Sequence, residues 1–235
     1  MKGNNKSVAS FDAYAQSYDS DLNRGISLSG EDKEYFARAR IAVLSSCLHS
    51  LAERPRSVLD FGCGTGTGSK FLLDLIKPER LIGVDISAAS LEVARISCPS
   101  KRAWFFPTVE YQSAGDIELA YCSGVFHHIP VDQRSFVLKY IYNTLKPGGI
   151  FSFWENNPFN PGTRLIMSRI PFDKDASPLT APAVRRLMSK SGFQILRTDY
   201  HFIFPKILSC CRSMEPFLAK LPIGAQYQVL SRKQF

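Results

Sequence analysis

Asp60, Gly62, Gly64 and Gly66 alternate through the segment VLDFGCGTG (58–66), and Asp85 follows 19 residues after Gly66. Glycines at this spacing let the backbone turn tightly and let a ligand reach main-chain atoms without meeting a Cβ. The first turn of a helix just beyond presents unpaired N–H groups, which suit a carboxylate or a phosphate. A dinucleotide-binding loop has the pattern G-x-G-x-x-G; counted from Gly62, its third glycine falls at position 67, which is Thr67. Asp60 stands two residues before the first glycine, where a carboxylate repels a pyrophosphate and attracts the ammonium of an amino-acid moiety.

S-adenosylmethionine carries such an amino acid and no phosphate, so the pattern favours it over NAD. Asp85 is placed to accept hydrogen bonds from ribose hydroxyls; its alternative reading is a cap or turn residue before Ser87. A second group of reactive side chains lies further on. His127 and His128 have the right chemistry for a base that accepts a hydroxyl proton, or they cap a turn and pack on Ile129 and Pro130. Glu155 is a rival base, or an anchor for a substrate amine or hydroxyl. Asn156 and Asn157 suit hydrogen bonding to a sugar or amide, although Asn before Pro also forms turns.

These residues need a scaffold, and the hydrophobic pattern supplies one. Short apolar runs at 57–62, 80–87, 103–107, 116–124 and 149–155 read as strands, separated by helical patterns at 69–77, 90–97 and 132–146. Near-continuous apolar strands alternating with helices indicate a parallel sheet covered on both faces. An amphipathic helix is expected over 29–52, a further helix over 180–193, and strands over 193–204 and 224–233, the last pair adding an antiparallel edge element. The fold class is α/β: a Rossmann-like, seven-stranded, mostly parallel sheet. It forms one domain over 1–235, with a helical cap (1–50), a cofactor-binding core (57–155) and substrate-side loops and strands (156–235). The stretch 158–178, rich in Pro, Gly and Asn, reads as a lid loop, and 206–221 as a helical apolar insert.

Length and composition set the outer bounds. The chain of 235 residues, 45% hydrophobic, is long enough for one sizeable core and too short for two full domains. The N-terminus has no apolar signal segment, and no apolar run approaches the roughly 20 residues that cross a bilayer, so a cytoplasmic location without membrane insertion is expected. Six cysteines form no C-x-x-C pair and no Cys/His ligand spacing, which argues against disulfides and a zinc site; no metal is expected. The net charge is +8, with nine Lys/Arg and two acids from Ala183 onward. Because these charges are spread singly, they read as a solvated surface; the alternative is an anionic partner.

The segments VLDFGCGTG (58–66), GVDIS (83–87), CSGVFHHIP (122–130) and LKPGGIFSFWE (145–155) together resemble the class I S-adenosylmethionine-dependent methyltransferase superfamily. The resemblance implies that Asp60, Gly62 and Gly64 line the methionine end, with Cys63 and Gly66 supplying backbone. It places Asp85 at the ribose, Ile86 on the adenine, and Cys122 and Ser123 at the methionine and sulfonium. In such enzymes aromatics of an N-terminal helix close over the cofactor, and Tyr14 and Tyr18 match that placement. The stretch PTVEYQSAGD after the third strand offers no counterpart to the usual adenine contact. FWENNPFNPGTR (153–164) also resembles a bacterial subgroup with E-H-N-P-x-N-P after the fifth strand, with Asn156 in place of the histidine. The implied activity is methyl transfer to oxygen or nitrogen of a small molecule, anionic or saccharide in character, or of a saccharide- or lipid-linked intermediate, leaving S-adenosylhomocysteine. A nucleic-acid methyltransferase or a non-catalytic cofactor-binding protein are the alternatives. Against nucleic acid, no basic-aromatic module is appended and the segment after Glu155 lacks the aromatic of a base-reading loop.

Overall fold

The computed structural model describes residues 18–173 and 176–234. Helices α1 (Tyr18–Ile26) and α2 (Lys33–Ser50) precede strand β1 (Ser57–Phe61). There follow α3 (Thr67–Phe71), continued by a wider turn over Leu72–Ile76, then β2 (Arg80–Asp85), α4 (Ala88–Ser97), β3 (Ala103–Pro107), β4 (Ile117–Ser123), α5 (Arg134–Thr144) and β5 (Leu145–Asn156). The chain ends through α6 (Pro161–Arg169), α7 (Ala181–Lys190), β6 (Phe193–His201), the short α8 (Glu215–Leu218) and β7 (Gln226–Lys233).

The seven strands form one sheet in the order β3-β2-β1-β4-β5-β7-β6. Strands β1 to β5 pair in parallel, and β7 runs antiparallel to both β5 and β6. The antiparallel element therefore lies at the expected side of the sheet but one strand in from its edge, since β7 inserts between β5 and β6. All five residues of β1 are buried, as a central strand covered on both faces requires. On one face α2, α3 and α4 pack Ile41, Leu44, Leu72 and Leu91 against Val58, Leu81 and Leu119. On the other, α5 and α7 pack Leu138, Ile141, Val184 and Met188 against Leu59, Ala120 and Phe151.

Local sequence fixes where the helices begin. Asp32 accepts the Tyr35 amide at 2.8 Å ahead of α2, and Ser87 accepts the Ser90 amide at 3.1 Å ahead of α4. The same chemistry corrects one expectation. The stretch 158–178 is not a bare loop: Asn160 accepts the Thr163 amide at 2.9 Å and Pro161 opens α6. The insert at 206–221 is a run of tight turns with the four-residue α8, and Ile207 and Phe217 are 88% and 86% exposed. Among the described residues, no helix is long and apolar enough to cross a membrane.

The chain leaves β1 toward β2 on one side, and its fourth strand returns to the other side of β1. The sheet order thus reverses between β1 and β4. Open α/β sheets bind ligands at the carboxyl ends of the strands flanking such a reversal.

Candidate functional site

The glycine loop crosses that carboxyl edge directly after β1. Gly62, Gly64 and Gly66 have φ of +71°, +51° and +84°, in the left-handed region that glycine enters without strain. The amides of Gly62 and Cys63 donate to Val84 O at 2.8 and 3.1 Å, which ties the loop to β2. A Cβ on Gly62 would lie 2.3 Å from Val125 Cγ2, so that glycine is required by packing. A Cβ on Gly64 would meet nothing within 4 Å, so the crest of the loop presents bare backbone to open space.

Asp85, at the end of β2, accepts the Gly64 amide at 2.8 Å and the Ser87 amide at 2.9 Å. Ile86 beside it is 43% exposed, an apolar surface at the place expected for an adenine. Asp60 sits differently from the sequence expectation. Its carboxylate is 3% exposed and lies beneath the loop, accepting Ser69 Oγ at 2.7 Å. Burial pushes its pKa up to about 7, against the lowering effect of the Ser69 hydrogen bond. Asp60 therefore braces α3 and the loop from below.

The side chains of Cys63 and Cys122 are also buried, so only their backbone faces the edge. Ser123 and the following Gly124 open onto a cavity. Tyr14 lies outside the described residues, and Tyr18 begins α1.

The cavity is a cleft with an accessible volume of about 150 Å³ that opens to solvent. Leu22 and Ile26 of α1, Phe36 of α2, and Ile166, Met167 and Ile170 of α6 form its apolar walls. The N-terminal helix and the former lid stretch thus both cover the carboxyl edge. Two cations interrupt the apolar lining. Lys33 Nζ reaches Thr67 Oγ1 at 3.2 Å, linking the cavity to the start of α3 just past the glycine loop. Arg40 Nη1 donates to Gln226 Oε1 at 3.0 Å, and its buried Nε has no hydrogen-bond partner among the described residues.

The floor of the cavity is a buried polar cluster. Glu155 is 2% exposed and accepts the amides of Phe126 at 2.9 Å and His127 at 3.3 Å through Oε1. Its Oε2 meets His127 Nδ1 at 2.7 Å and accepts the Asn156 amide at 3.2 Å. Burial works to raise the Glu155 pKa, but His127 and these amides outweigh it and hold the carboxylate ionised. Burial pulls His127 down, yet Glu155 and Asp173 together hold its pKa up at about 10. For His128 burial and then the neighbouring His127 dominate, and its pKa falls to about 4. Of the three sequence-level bases, His127 and Glu155 are thus engaged with each other, and His128 is the neutral imidazole.

Asn156 and Asn157 separate cleanly. Asn156 lines the cavity and its Oδ1 accepts Gln226 Nε2 at 3.1 Å. Asn157 is 1% exposed and turned away. Its Nδ2 donates to Pro222 O at 3.0 Å and Gly224 O at 2.8 Å, and its Oδ1 accepts the Phe159 amide at 3.1 Å. Every polar atom of that side chain is committed to holding the chain before β7, which removes it from the substrate candidates.

Lys33, Arg40 and Asp173 line the cavity without having been singled out in the sequence. Lys33 and Arg40 are seven residues apart on α2, two helical turns, and so share a face; that spacing was the available signal. Asp173 stood inside a stretch that reads as a loop and carries no local signal.

Residues 59–151 match the model of a methyltransferase domain. The chain is 25% identical over 120 residues to the trans-aconitate 2-methyltransferase of Rhodopseudomonas palustris (strain BisB5), covering 51% of this chain and 46% of that protein. It is 30% identical over 114 residues to the malonyl-[acyl-carrier protein] O-methyltransferase of Legionella pneumophila, covering 46% and 40%. The chain thus spans less than half the length of these curated relatives. Among solved structures, an S-adenosylmethionine-dependent methyltransferase from Thermotoga maritima superposes with a TM-score of 0.65 at 19% identity, covering 97% of this chain and all of that one. A TehB-like S-adenosylmethionine-dependent methyltransferase from Corynebacterium glutamicum gives 0.61 at 18% identity, covering 97% and 99%. At these identities the likeness is one of fold.

Proposed function

We propose that the chain is a class I S-adenosylmethionine-dependent methyltransferase, which the match of residues 59–151 to a methyltransferase domain supports, and that it transfers the methyl group of S-adenosylmethionine to an oxygen of a small anionic acceptor. The residues present fit that cofactor. The Gly64 crest is open where any side chain would intrude, Asp85 is fixed at the end of β2 beside that crest, and Ile86 offers an apolar face for a base. Lys33, beside the start of α3, is placed for the amino-acid carboxylate. When bound, the cofactor supplies an electrophilic methyl carbon on a sulfonium.

The chain's own residues then have to bind, orient and shield. In-line displacement needs the acceptor atom held close to the methyl carbon and in line with the bond that breaks. Ser123 and Gly124 bring the carboxyl end of β4 to the cavity, and the apolar side chains of α1 and α6 exclude water around it. The observation that carries the anionic acceptor is Arg40. It lines the cavity together with Lys33. Two cations in one cavity favour a carboxylate or similar oxyanion as its occupant. Such an acceptor is already an unprotonated nucleophile and needs no general base, consistent with His127 and Glu155 being bound to each other. The names of the relatives point the same way: trans-aconitate is an acid, and the malonyl enzyme methylates an oxygen.

The test is transfer of labelled methyl from S-adenosylmethionine into separate panels of small carboxylic acids, neutral alcohols, amines and nucleosides. Label in an alkali-labile ester of a carboxylic acid is expected. Arg40→Met should raise KM for that acid by about tenfold or more, the worth of a lost charge-assisted hydrogen bond. Transfer confined to amines or neutral alcohols, unaffected by Arg40→Met, would remove the anionic acceptor from the reading.

A further inference from the structure

Three ligating atoms converge on the cavity floor. One ligand atom from each of His127, His128 and Asp173 lies within 4.8 Å of the other two. The Nε2 of each histidine is 3.4 Å from Asp173 Oδ1. That distance is longer than an ordinary N–H···O bond of about 2.7–3.2 Å. It is the separation of two ligands on one metal ion, since a tetrahedral centre with bonds of about 2.0–2.1 Å holds neighbouring ligands about 3.4 Å apart.

Two further features point to a cation. Asp173 is 8% exposed, and its Oδ1 makes no hydrogen bond among the described residues although it faces both imidazoles. His127 faces this oxygen as an ion-pair partner at a long distance, and a cation shared with His128 would complete its coordination. The other ring nitrogen of His127 is held by Glu155 at 2.7 Å, and Glu155 is itself fixed by three backbone amides. Carboxylate support of this kind is what orients a metal-ligating histidine and fixes which nitrogen offers its lone pair. An imidazolium bridging Glu155 and Asp173 accounts for one of the two 3.4 Å contacts. It leaves unexplained why a second imidazole nitrogen is aimed at the same oxygen.

We propose that His127, His128 and Asp173 form a binding site for one divalent first-row transition-metal ion, which on binding displaces the His127 Nε2 proton while Nδ1–H stays on Glu155. Two imidazoles and one carboxylate form a ligand set that suits such an ion and leaves coordination positions open. All three residues line the same cavity as Arg40 and Ser123, so the open positions face the space proposed for the acceptor. That the metal would hold an acceptor oxygen rests on the methyl-transfer reading; the site itself does not. The local sequence hides it because the third ligand is 45 residues beyond His128.

Chelator-treated, untagged protein titrated with Co²⁺ and followed by visible absorption tests the site. Cys210 and Cys211 are adjacent thiols with sulfurs 3.8 Å apart and would compete for the ion, so the titration uses a Cys210→Ser, Cys211→Ser background. One saturable site per chain with nitrogen/oxygen-type bands is expected. Asp173→Asn and His128→Ala should each weaken Co²⁺ binding by at least tenfold, and Glu155→Gln should weaken it about 10- to 100-fold. S-adenosylhomocysteine calorimetry on each variant reports whether the fold survives. No saturable Co²⁺ uptake into millimolar concentrations overturns the proposal, as does uptake unchanged in folded Asp173→Asn and His128→Ala. Co²⁺ failure with S-adenosylhomocysteine bound removes the metal alone; the converse result removes the methyl-transfer reading and leaves the metal site.

Discussion

Replacing Asp60 by Asn should stabilise the protein at alkaline pH and hardly at all in acid. The carboxylate is 3% exposed, and its pKa rises from 3.8 to about 7, chiefly because burial strips its water. The Ser69 hydroxyl and Arg40 offset that only in part, while Asp85 adds repulsion. The sign follows from linkage. With the folded pKa above the unfolded one, the folded chain holds its proton more tightly. Stability is therefore fullest below the ordinary carboxylate pKa, falls as pH rises toward 7, and levels off above it. With these two values, this one group costs about 2–3 kcal/mol between about pH 5 and about pH 8. Asparagine keeps an acceptor for Ser69 and carries no charge, so it escapes the loss. Urea unfolding of both proteins at the two pH values measures the gap. Asp60→Asn should gain about 2–3 kcal/mol relative to the parent on moving from the lower to the higher pH. A gap that does not change with pH, or one that moves against the variant, would refute the argument, because it would mean that the buried group is ionised throughout and held by positive charge.

Gly64→Ala should cost only about 1–2 kcal/mol of stability, the penalty of a left-handed alanine, because its Cβ meets nothing within 4 Å. It should nevertheless weaken S-adenosylhomocysteine binding at least tenfold, since the added methyl enters the cradle; unchanged affinity by calorimetry would place the cofactor elsewhere. Asn157→Ala should lower unfolding stability by about 1–3 kcal/mol through the unpaired Pro222 and Gly224 carbonyls, without changing affinity for S-adenosylhomocysteine. If stability holds and the acceptor KM rises instead, Asn157 belongs to the substrate site after all.

The sheet was legible because its strands are nearly continuous apolar runs bounded by glycine, proline or charge, and β3 matches its expected bounds at both ends. β5 begins four residues earlier than the apolar pattern alone suggests, because Leu145 pairs with Ile117 before the register shifts and pairing resumes at Ile150 with Leu119. The position of β7 between β5 and β6 was not legible, since strand order is decided by pairing partners and not by local pattern. α6 was missed because Pro and Asn weighed as loop formers, when Asn160 followed by Pro161 is a helix start. At the site, spacing located the glycine loop and Asp85. It could not tell that Asp60 points under the loop, or that Asn157 is bonded at every polar atom while Asn156 faces the cavity. Those outcomes depend on one-residue differences in direction along the ends of β1 and β5. Lys33, Arg40 and Asp173 reach the cavity from outside the motif-bearing segment, where only tertiary packing brings them in.

Calorimetry of the unmodified protein with S-adenosylhomocysteine, set beside NADH, addresses the cofactor site most directly. One binding event per chain with S-adenosylhomocysteine and none with NADH is the predicted result. Silence with S-adenosylhomocysteine and a saturable signal with NADH would contradict the assignment of the glycine loop and Asp85.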